Sequence, residues 1–301
     1  MTIAVTGGTG FVGARFIDTA VAAGHQVRAL ARREQPPRPG VEWVYGSLGD
    51  SDSLRKLVTG SSSVVHIAGV INARDPAEFE CGNVDGTLAM LSAATAAGVT
   101  RFVHVSSLAA RERKLSKYGE SKARSEELVQ RSGLDWVIVR PPAVYGPGDR
   151  ETLDLFKMAK LRLMLLPPSG RVSLIHVDDL ARLLFALAED DDAKQLVLEP
   201  DDGRTPGWTH KELAKAIGDA VGRRHLSLSM PPAMLRLGAA VDQLIRRGRA
   251  KLSQDRAAYF SHRDWVVNAD RRPSQGLWQP QIRTELGLAE TAQWYRSQRW
   301  L

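Results

Sequence analysis

The first two dozen residues constrain the fold most. An apolar, β-branched run at 3–6 (IAVT) is followed by Gly7, Gly10 and Gly13 in a G-x-x-G-x-x-G pattern, and 11–23 (FVGARFIDTAVAA) then carries helical spacing up to Gly24. This reads as strand, glycine turn, amphipathic helix. A side chain at Gly7 would clash in the sharp turn. Gly10 lets backbone come close to a pyrophosphate, and Gly13 lets the helix pack on the sheet. The helix N-terminus then offers free N–H groups to phosphates. A tight turn that holds no ligand is the alternative, and the order of elements that follows disfavours it.

Strand-like runs recur at 26–31, 41–45, 63–68, 101–106 and 134–139, with helical segments at 79–97 and 117–131. Apolar strands alternating with helices predict an α/β fold with a doubly wound parallel (Rossmann) sheet and right-handed crossovers. After Pro141 the rhythm changes. Residues 152–165 read as an apolar helix ending at Pro167-Pro168, then a short strand and a helix follow through 189, and 195–199 reads as a further strand. Helices are predicted near 209–221, 232–247 and 287–297. The expected organisation is a dinucleotide-binding domain over 1–200, interrupted near 150–172 by a substrate-lobe segment, and a smaller mixed substrate lobe over 201–301.

In 301 residues, 43% are hydrophobic and 25% charged, which suits a globular chain with a full core. No window of about eighteen apolar residues appears, and the start lacks the pattern of a secretory signal. The single cysteine, Cys81, cannot form an internal disulfide and is read as a half-buried filler rather than a catalytic thiol. Together these lead us to expect a cytoplasmic protein. The net charge of +7 is carried entirely by 223–272, with ten Arg and one Lys against four Asp. No pattern of base-stacking aromatics accompanies this excess, so it is read as a solvated face or as a site near an anionic ligand or lipid, not a nucleic-acid surface.

Chemistry concentrates in KYGESKARSEEL (117–128). Tyr118 and Lys122 stand at i and i+4, on one helix face. An ammonium there is expected to lower the phenol's pKa, tuning it for proton exchange with an alcohol oxygen. Ser106 and Ser107 end the strand at 101–106, the strand end at which ligands sit in such sheets, and a hydroxyl there would hold the reacting oxygen. At the end of the second strand stand Arg32 and Arg33, nineteen and twenty residues after Gly13. Guanidinium pairs suit a ribose 2′-phosphate and favour NADP. Glu34, which would accept a 2′-hydroxyl, leaves NAD open.

TGGTGFVG (6–13), HIAG (66–69), NVDGT (83–87), RFVHVSS (101–107), YGESK (118–122), VRPPAVYGPGD (139–149) and IHVDDLA (175–181) occur in the order found in a known family. On these motifs the chain resembles the extended short-chain dehydrogenases/reductases, which include nucleotide-sugar epimerases, dehydratases and hydroxysteroid-type dehydrogenases. The resemblance implies a catalytic set of Ser107, Tyr118 and Lys122, with Tyr118 as acid/base and Lys122 also on the nicotinamide ribose. It also implies cofactor contacts from Gly7, Thr9, Gly10, Phe11, Val12, Gly13, Ala68, Asn83 and Pro141, besides Arg32 and Arg33. Homodimer packing through 79–97 and 117–131 is a further implication. Two features depart from the family. Gly46-Ser47 follows the third strand where Gly-Asp is frequent, with Asp50 nearby, and the loop from Ser107 to Tyr118 is short for a sugar-nucleotide enzyme.

His176, Asp178 and Asp179 read as a helix cap rather than metal ligands, and His66 as a packed core residue. The apolar stretches within 143–172 and at 231–245 are expected to pack between lobes or to line a lipophilic pocket. The basic run after 245 suggests contact with a membrane surface. The function expected is an NADP-dependent oxidoreductase interconverting alcohol and carbonyl on a lipophilic, sterol- or isoprenoid-like substrate. A nucleotide-sugar epimerase or dehydratase with bound NAD is the first alternative, and a non-catalytic NAD(P)-binding sensor the second.

Overall fold

In a computed structural model, the residues described are 1–73, 75–231, 233–234, 258–259 and 261–301. The expected helix at 232–247 and the basic run beyond it therefore lie almost wholly outside the described residues. The chain divides into two compact units. The first comprises 1–141, 180–199 and 273–278; the second comprises 142–179, 200–272 and 279–301.

The first unit is built on seven strands: β1 (Thr2–Thr6), β2 (Gln26–Ala31), β3 (Val41–Tyr45), β4 (Ser63–His66), β5 (Arg101–Val105), β6 (Asp135–Val139) and β11 (Leu196–Leu198). Their order is β11-β6-β5-β4-β1-β2-β3, and every neighbouring pair is parallel. The order reverses between β1 and β4, so the loops after these two strands define the crevice where a doubly wound sheet binds ligands. Helices α1 (Phe11–Ala22), α2 (Ser51–Val58), α4 (Gly86–Ala96), α5 (Lys117–Gln130) and α7 (Val177–Glu189, its last ten residues in this unit) supply the crossovers and cover. Leu54, Leu57, Val64, Met90, Phe102, Val129 and Ile138 fill one side of the sheet.

Caps set the helix starts. Asp50 caps α2 by accepting from the Asp52 N–H at 3.1 Å, so this acid is spent on the helix. The Ser116 hydroxyl accepts from the Gly119 N–H at 2.9 Å and starts α5. The single helix expected at 79–97 is instead a short α3 (Pro76–Phe79), a π-turn at Glu80–Asp85 and then α4. No local residue pattern marks the i→i+5 bonds of a π-turn, so the sequence reads as one continuous helix. Cys81 lies in this turn and is exposed rather than half-buried.

The second unit contains β7 (Ala143–Tyr145), α6 (Leu153–Lys160), β8 (Leu163–Leu166), β9 (Arg171–Val172), β10 (Leu174–His176), the first residues of α7, β12 (Trp208–Thr209), α8 (His210–Val221), β13 (Leu226–Ser229), β14 (Asp264–Trp265) and α9 (Thr284–Ser297). Its core gathers Tyr145, Phe156, Met164, Trp208, Ile217, Leu288 and Tyr295. The helix expected over 152–165 stops at Lys160. Arg162 takes a φ of 63°, and LMLL then runs as a strand paired with β13, alternately exposed and buried. An apolar run of four cannot by itself distinguish these two outcomes.

Asp178 and Asp179 stand in the first turn of α7, at the helix start where the cap is expected. The His176 imidazole accepts from the Asp178 N–H at 3.2 Å. Asp179 accepts from the N–H groups of Gln281 and Ile282 at 3.0 and 3.1 Å and so ties the C-terminal segment to the start of α7. Among the described residues no helix is long and apolar enough to cross a membrane.

Candidate active site

The glycine turn after β1 is closed to side chains. Gly7 has a φ of 74°, and a Cβ built on it would stand 2.7 Å from the Ala68 nitrogen, so the loops after β1 and β4 touch. A Cβ on Gly13 would stand 2.1 Å from the Gly7 carbonyl oxygen, and one on Gly10 would stand 3.2 Å from the same atom. Gly10 is the N-cap of α1 and makes no side-chain cap bond, and the first turn holds no acid. The N–H groups and positive end of this helix are therefore left for an anion, with Thr9 and Gly10 exposed above them and Phe11 and Val12 half-buried. These features fit a dinucleotide pyrophosphate. At the C-terminal end of the neighbouring β2, Arg32, Arg33 and Glu34 are exposed.

The side chains named for catalysis converge at the C-terminal ends of β4 and β5. Ser106 and Ser107 part company there. The Ser106 hydroxyl donates to buried Glu126, whereas the Ser107 hydroxyl is turned toward the Tyr118 phenol and lowers its pKa. The Ser107 oxygen also accepts from the Ala109 N–H at 3.2 Å, starting a 3-10 turn over Leu108–Glu112. Gly119 allows α5 to lie on this turn, since a Cβ there would stand 2.7 Å from the Ala109 oxygen. One helical turn on, buried Lys122 donates to the Val105 carbonyl at 2.8 Å. Pro141 is buried beside the same strand ends and accepts from the Leu108 N–H at 3.0 Å.

The electrostatics differ from expectation in one respect. Burial pushes the Tyr118 phenol above its ordinary pKa, and the Ser107 hydroxyl only partly opposes this. Lys122 does not pull it down; its ammonium donates to the Val105 carbonyl instead. The same burial brings Lys122 down to about 8, against a raising effect from Glu126. The phenol is thus kept in its protonated form, while the lysine titrates closer to neutral pH than an ordinary ammonium.

Asn83, in the π-turn, clamps the loop after β4. Its Oδ1 accepts from the Val70 N–H at 2.7 Å, and its Nδ2 donates to the Val70 carbonyl and to Ser121 Oγ, both at 2.9 Å. Ser121 in turn donates to the Tyr118 carbonyl at 2.8 Å. Asn83 is thus engaged with the backbone that flanks Gly69, where a Cβ would stand 3.6 Å from Lys122 Nζ.

A second hydrogen-bond chain runs under this loop. Thr6 Oγ1 contacts His66 Nδ1 at 2.7 Å, His66 Nε2 contacts Thr87 Oγ1 at 3.2 Å, and Thr87 donates to the Asn83 carbonyl at 2.7 Å. Since the Thr87 proton is spent on that carbonyl, His66 Nε2 must donate and Nδ1 must accept. Burial first, then Lys122, hold the imidazole down to about 3, so it is neutral. His66 is the hydrogen-bonded core residue expected, and Thr6 also accepts from the Ala68 N–H at 3.2 Å.

Two contributors escaped the sequence reading. Glu126 joins Arg140 through both carboxylate oxygens, at 2.9 and 2.6 Å, and Arg140 reaches Glu199 at 3.3 Å, linking α5 to the ends of β6 and β11. Glu126 stands four residues after Lys122, as Lys122 stands four after Tyr118, so helical spacing could have flagged it. His104, stacked on His66 with ring centroids 5.5 Å apart, contacts Ser125 Oγ at 3.1 Å. Its alternation with Ser106 along β5 was the available signal.

A parallel sheet with a glycine turn at its switch point, and a Ser–Tyr–Lys set at the neighbouring strand ends, defines a dinucleotide-dependent oxidoreductase site. The family model for the NAD dependent epimerase/dehydratase family matches residues 3–198, and the chain belongs to this family, within the extended short-chain dehydrogenases/reductases. It is an NAD(P)-dependent oxidoreductase of that type. It is 36% identical to a ceramide reductase of Caulobacter vibrioides over 99% of this chain and 96% of that protein. It is 28% identical to a 3 beta-hydroxysteroid dehydrogenase/Delta 5-->4-isomerase of Mycobacterium tuberculosis, over 74% of this chain and 70% of the other. The solved structure of MoeE5 in complex with UDP-glucose and NAD superposes with a TM-score of 0.77 at 22% identity over 99% of each chain, a likeness of fold.

Proposed function

We propose that the chain is an NADP-dependent reductase of a carbonyl group on a lipophilic substrate, with ceramide-like lipids the first candidates. The observation that carries this reading is the convergence of Ser107, Tyr118 and buried Lys122 at the end of β5. When bound, the dinucleotide supplies the hydride that reduces the carbonyl carbon. Ser107 holds the carbonyl oxygen, and Tyr118 gives it a proton as negative charge develops. Burial raises the phenol, which keeps it in the protonated form needed to donate to the carbonyl oxygen. Lys122 steadies the alkoxide-like charge and holds the nicotinamide ribose, while Asn83 keeps the loop at Val70 in position. Arg32 and Arg33 take the 2′-phosphate, and the α1 N-terminus takes the pyrophosphate.

The ceramide reductase, similar over nearly the full length of both chains, supports a lipid carbonyl as substrate, and the steroid dehydrogenase supports a lipophilic one. The test is NADPH oxidation with a panel running from long-chain lipid ketones and sterol ketones to UDP-sugars. Consumption of one NADPH per lipid alcohol formed is expected. Turnover of a UDP-sugar without net change in cofactor would assign the site to epimerisation instead.

A further inference from the structure

The second unit presents a leucine face that its own core does not use. β8 and β13 pair in parallel, with Leu226 opposite Leu163 and Leu228 opposite Leu165. Residues in register on adjacent strands share a face. On this face Leu163, Leu165, Leu226 and Leu228 are 42%, 40%, 61% and 46% exposed, and Leu161 just before β8 is 79% exposed. The alternate residues of β8, Met164 and Leu166, are buried in the core. The exposed set is therefore a two-by-two block of leucines on one side of a two-stranded ribbon, not scattered single residues.

Cations gather at one end of the block. Both strands start at that end, so Arg162 immediately precedes β8 while Arg223 and Arg224 precede β13, and the Leu226 N–H donates to the Arg162 carbonyl at 3.0 Å. Lys160, Arg162, Arg223 and Arg224 are exposed and form no ion pair among the described residues. Lys160 and Arg223 also line a crevice of about 320 Å³ with Val221, Gly222, Arg296 and Leu301. Arg296 is partly spent there, donating to the Val221 carbonyl at 2.7 Å. The nearby Asp219 carboxylate is neutralised by Lys215 at 2.6 Å.

We infer that this face docks on an anionic lipid bilayer, the leucines entering the headgroup–acyl boundary and the four cations meeting lipid phosphates. Charge selects this occupant over a second copy of the chain, since a second copy would bring the same cations to the same face. The inference concerns surface residues outside the catalytic set and does not rest on the identity of the substrate.

The test is co-sedimentation of the full chain with phosphatidylcholine vesicles and with vesicles containing roughly a third phosphatidylglycerol, at low and high salt. The wild type is expected to bind the anionic vesicles, and to release as salt screens the cations. Leu163→Ser with Leu165→Ser should weaken binding by about tenfold or more, from the lost apolar burial of two side chains. Arg162→Glu with Arg224→Glu should reduce it to the level of neutral vesicles. Thermal melting and NADPH titration check that each variant is folded. Wild type that stays in the supernatant, equal binding to both vesicle types, or variants that bind like wild type would overturn the inference. So would a dimer in sedimentation velocity that the leucine variant dissolves while vesicle binding persists, because the face would then belong to a second copy.

Discussion

On the proposed reading, in which Arg32 and Arg33 hold the 2′-phosphate, replacing both with Ala should remove most of the preference for NADPH over NADH. Both side chains are exposed at the end of β2, so the variant should fold as the wild type does, within about 0.5 kcal/mol. A hydrogen bond to a charged group contributes about 1.5–3 kcal/mol when shielded, but exposure and salt reduce a surface pair to about 1 kcal/mol. Two such pairs on a 2′-phosphate therefore contribute roughly 2 kcal/mol, a loss of about thirtyfold in NADPH affinity. NADH has no 2′-phosphate, so its affinity should move less than about twofold on the same reckoning. Fluorescence titration of both cofactors against both proteins gives the four constants. Equal weakening of NADPH and NADH, or an unchanged NADPH constant, would refute the assignment of these arginines and return Glu34 to consideration.

Gly13→Ala should abolish NADPH binding and destabilise the chain by about 2 kcal/mol or more, because the new Cβ meets the Gly7 carbonyl at 2.1 Å and neither backbone can yield. Gly24→Ala, at a φ of 85° with open space around it, should cost about 1 kcal/mol and spare NADPH binding, as paired melts and titrations would register. Stability should also depend on His66. Its folded pKa of about 3 lies below the ordinary 6.5, so below pH 6.5 the unfolded chain takes up a proton that the folded chain refuses. The stabilisation is complete above pH 6.5 and is lost at about 1.4 kcal/mol per pH unit as the pH falls toward 3. Urea unfolding at pH 7 and pH 5 should differ by about 2 kcal/mol from this group alone. A flat profile would mean that His66 is not buried neutral.

The sheet was legible because its signals are local. The β-branched runs, the three glycines and the 3.6-residue spacing each act within a few residues, and β2 and β3 fall on the expected residues. The i, i+4 spacing of Tyr118 and Lys122 placed both on α5 for the same reason. What escaped depends on non-local packing. The π-turn exists where Asn83 must reach Val70, thirteen residues earlier. The LMLL strand exists because β13, some sixty residues later, pairs with it. The Tyr118 shift runs opposite to the expected direction because burial, which the sequence does not display, raises the phenol more than Ser107 lowers it. The Glu126–Arg140–Glu199 link joins three elements that only the folded sheet brings together.

The most direct measurement is Tyr118→Phe under saturating NADPH with a lipid ketone, following the first turnover. Removing one hydroxyl should leave NADPH affinity within about twofold, as expected for a group that acts on substrate oxygen. The reduction rate should fall by about 10²–10⁴-fold, the range of a lost general acid. A variant that reduces the ketone at the wild-type rate would mean that the proton comes from elsewhere and that the Ser107–Tyr118 pair is not the reacting centre.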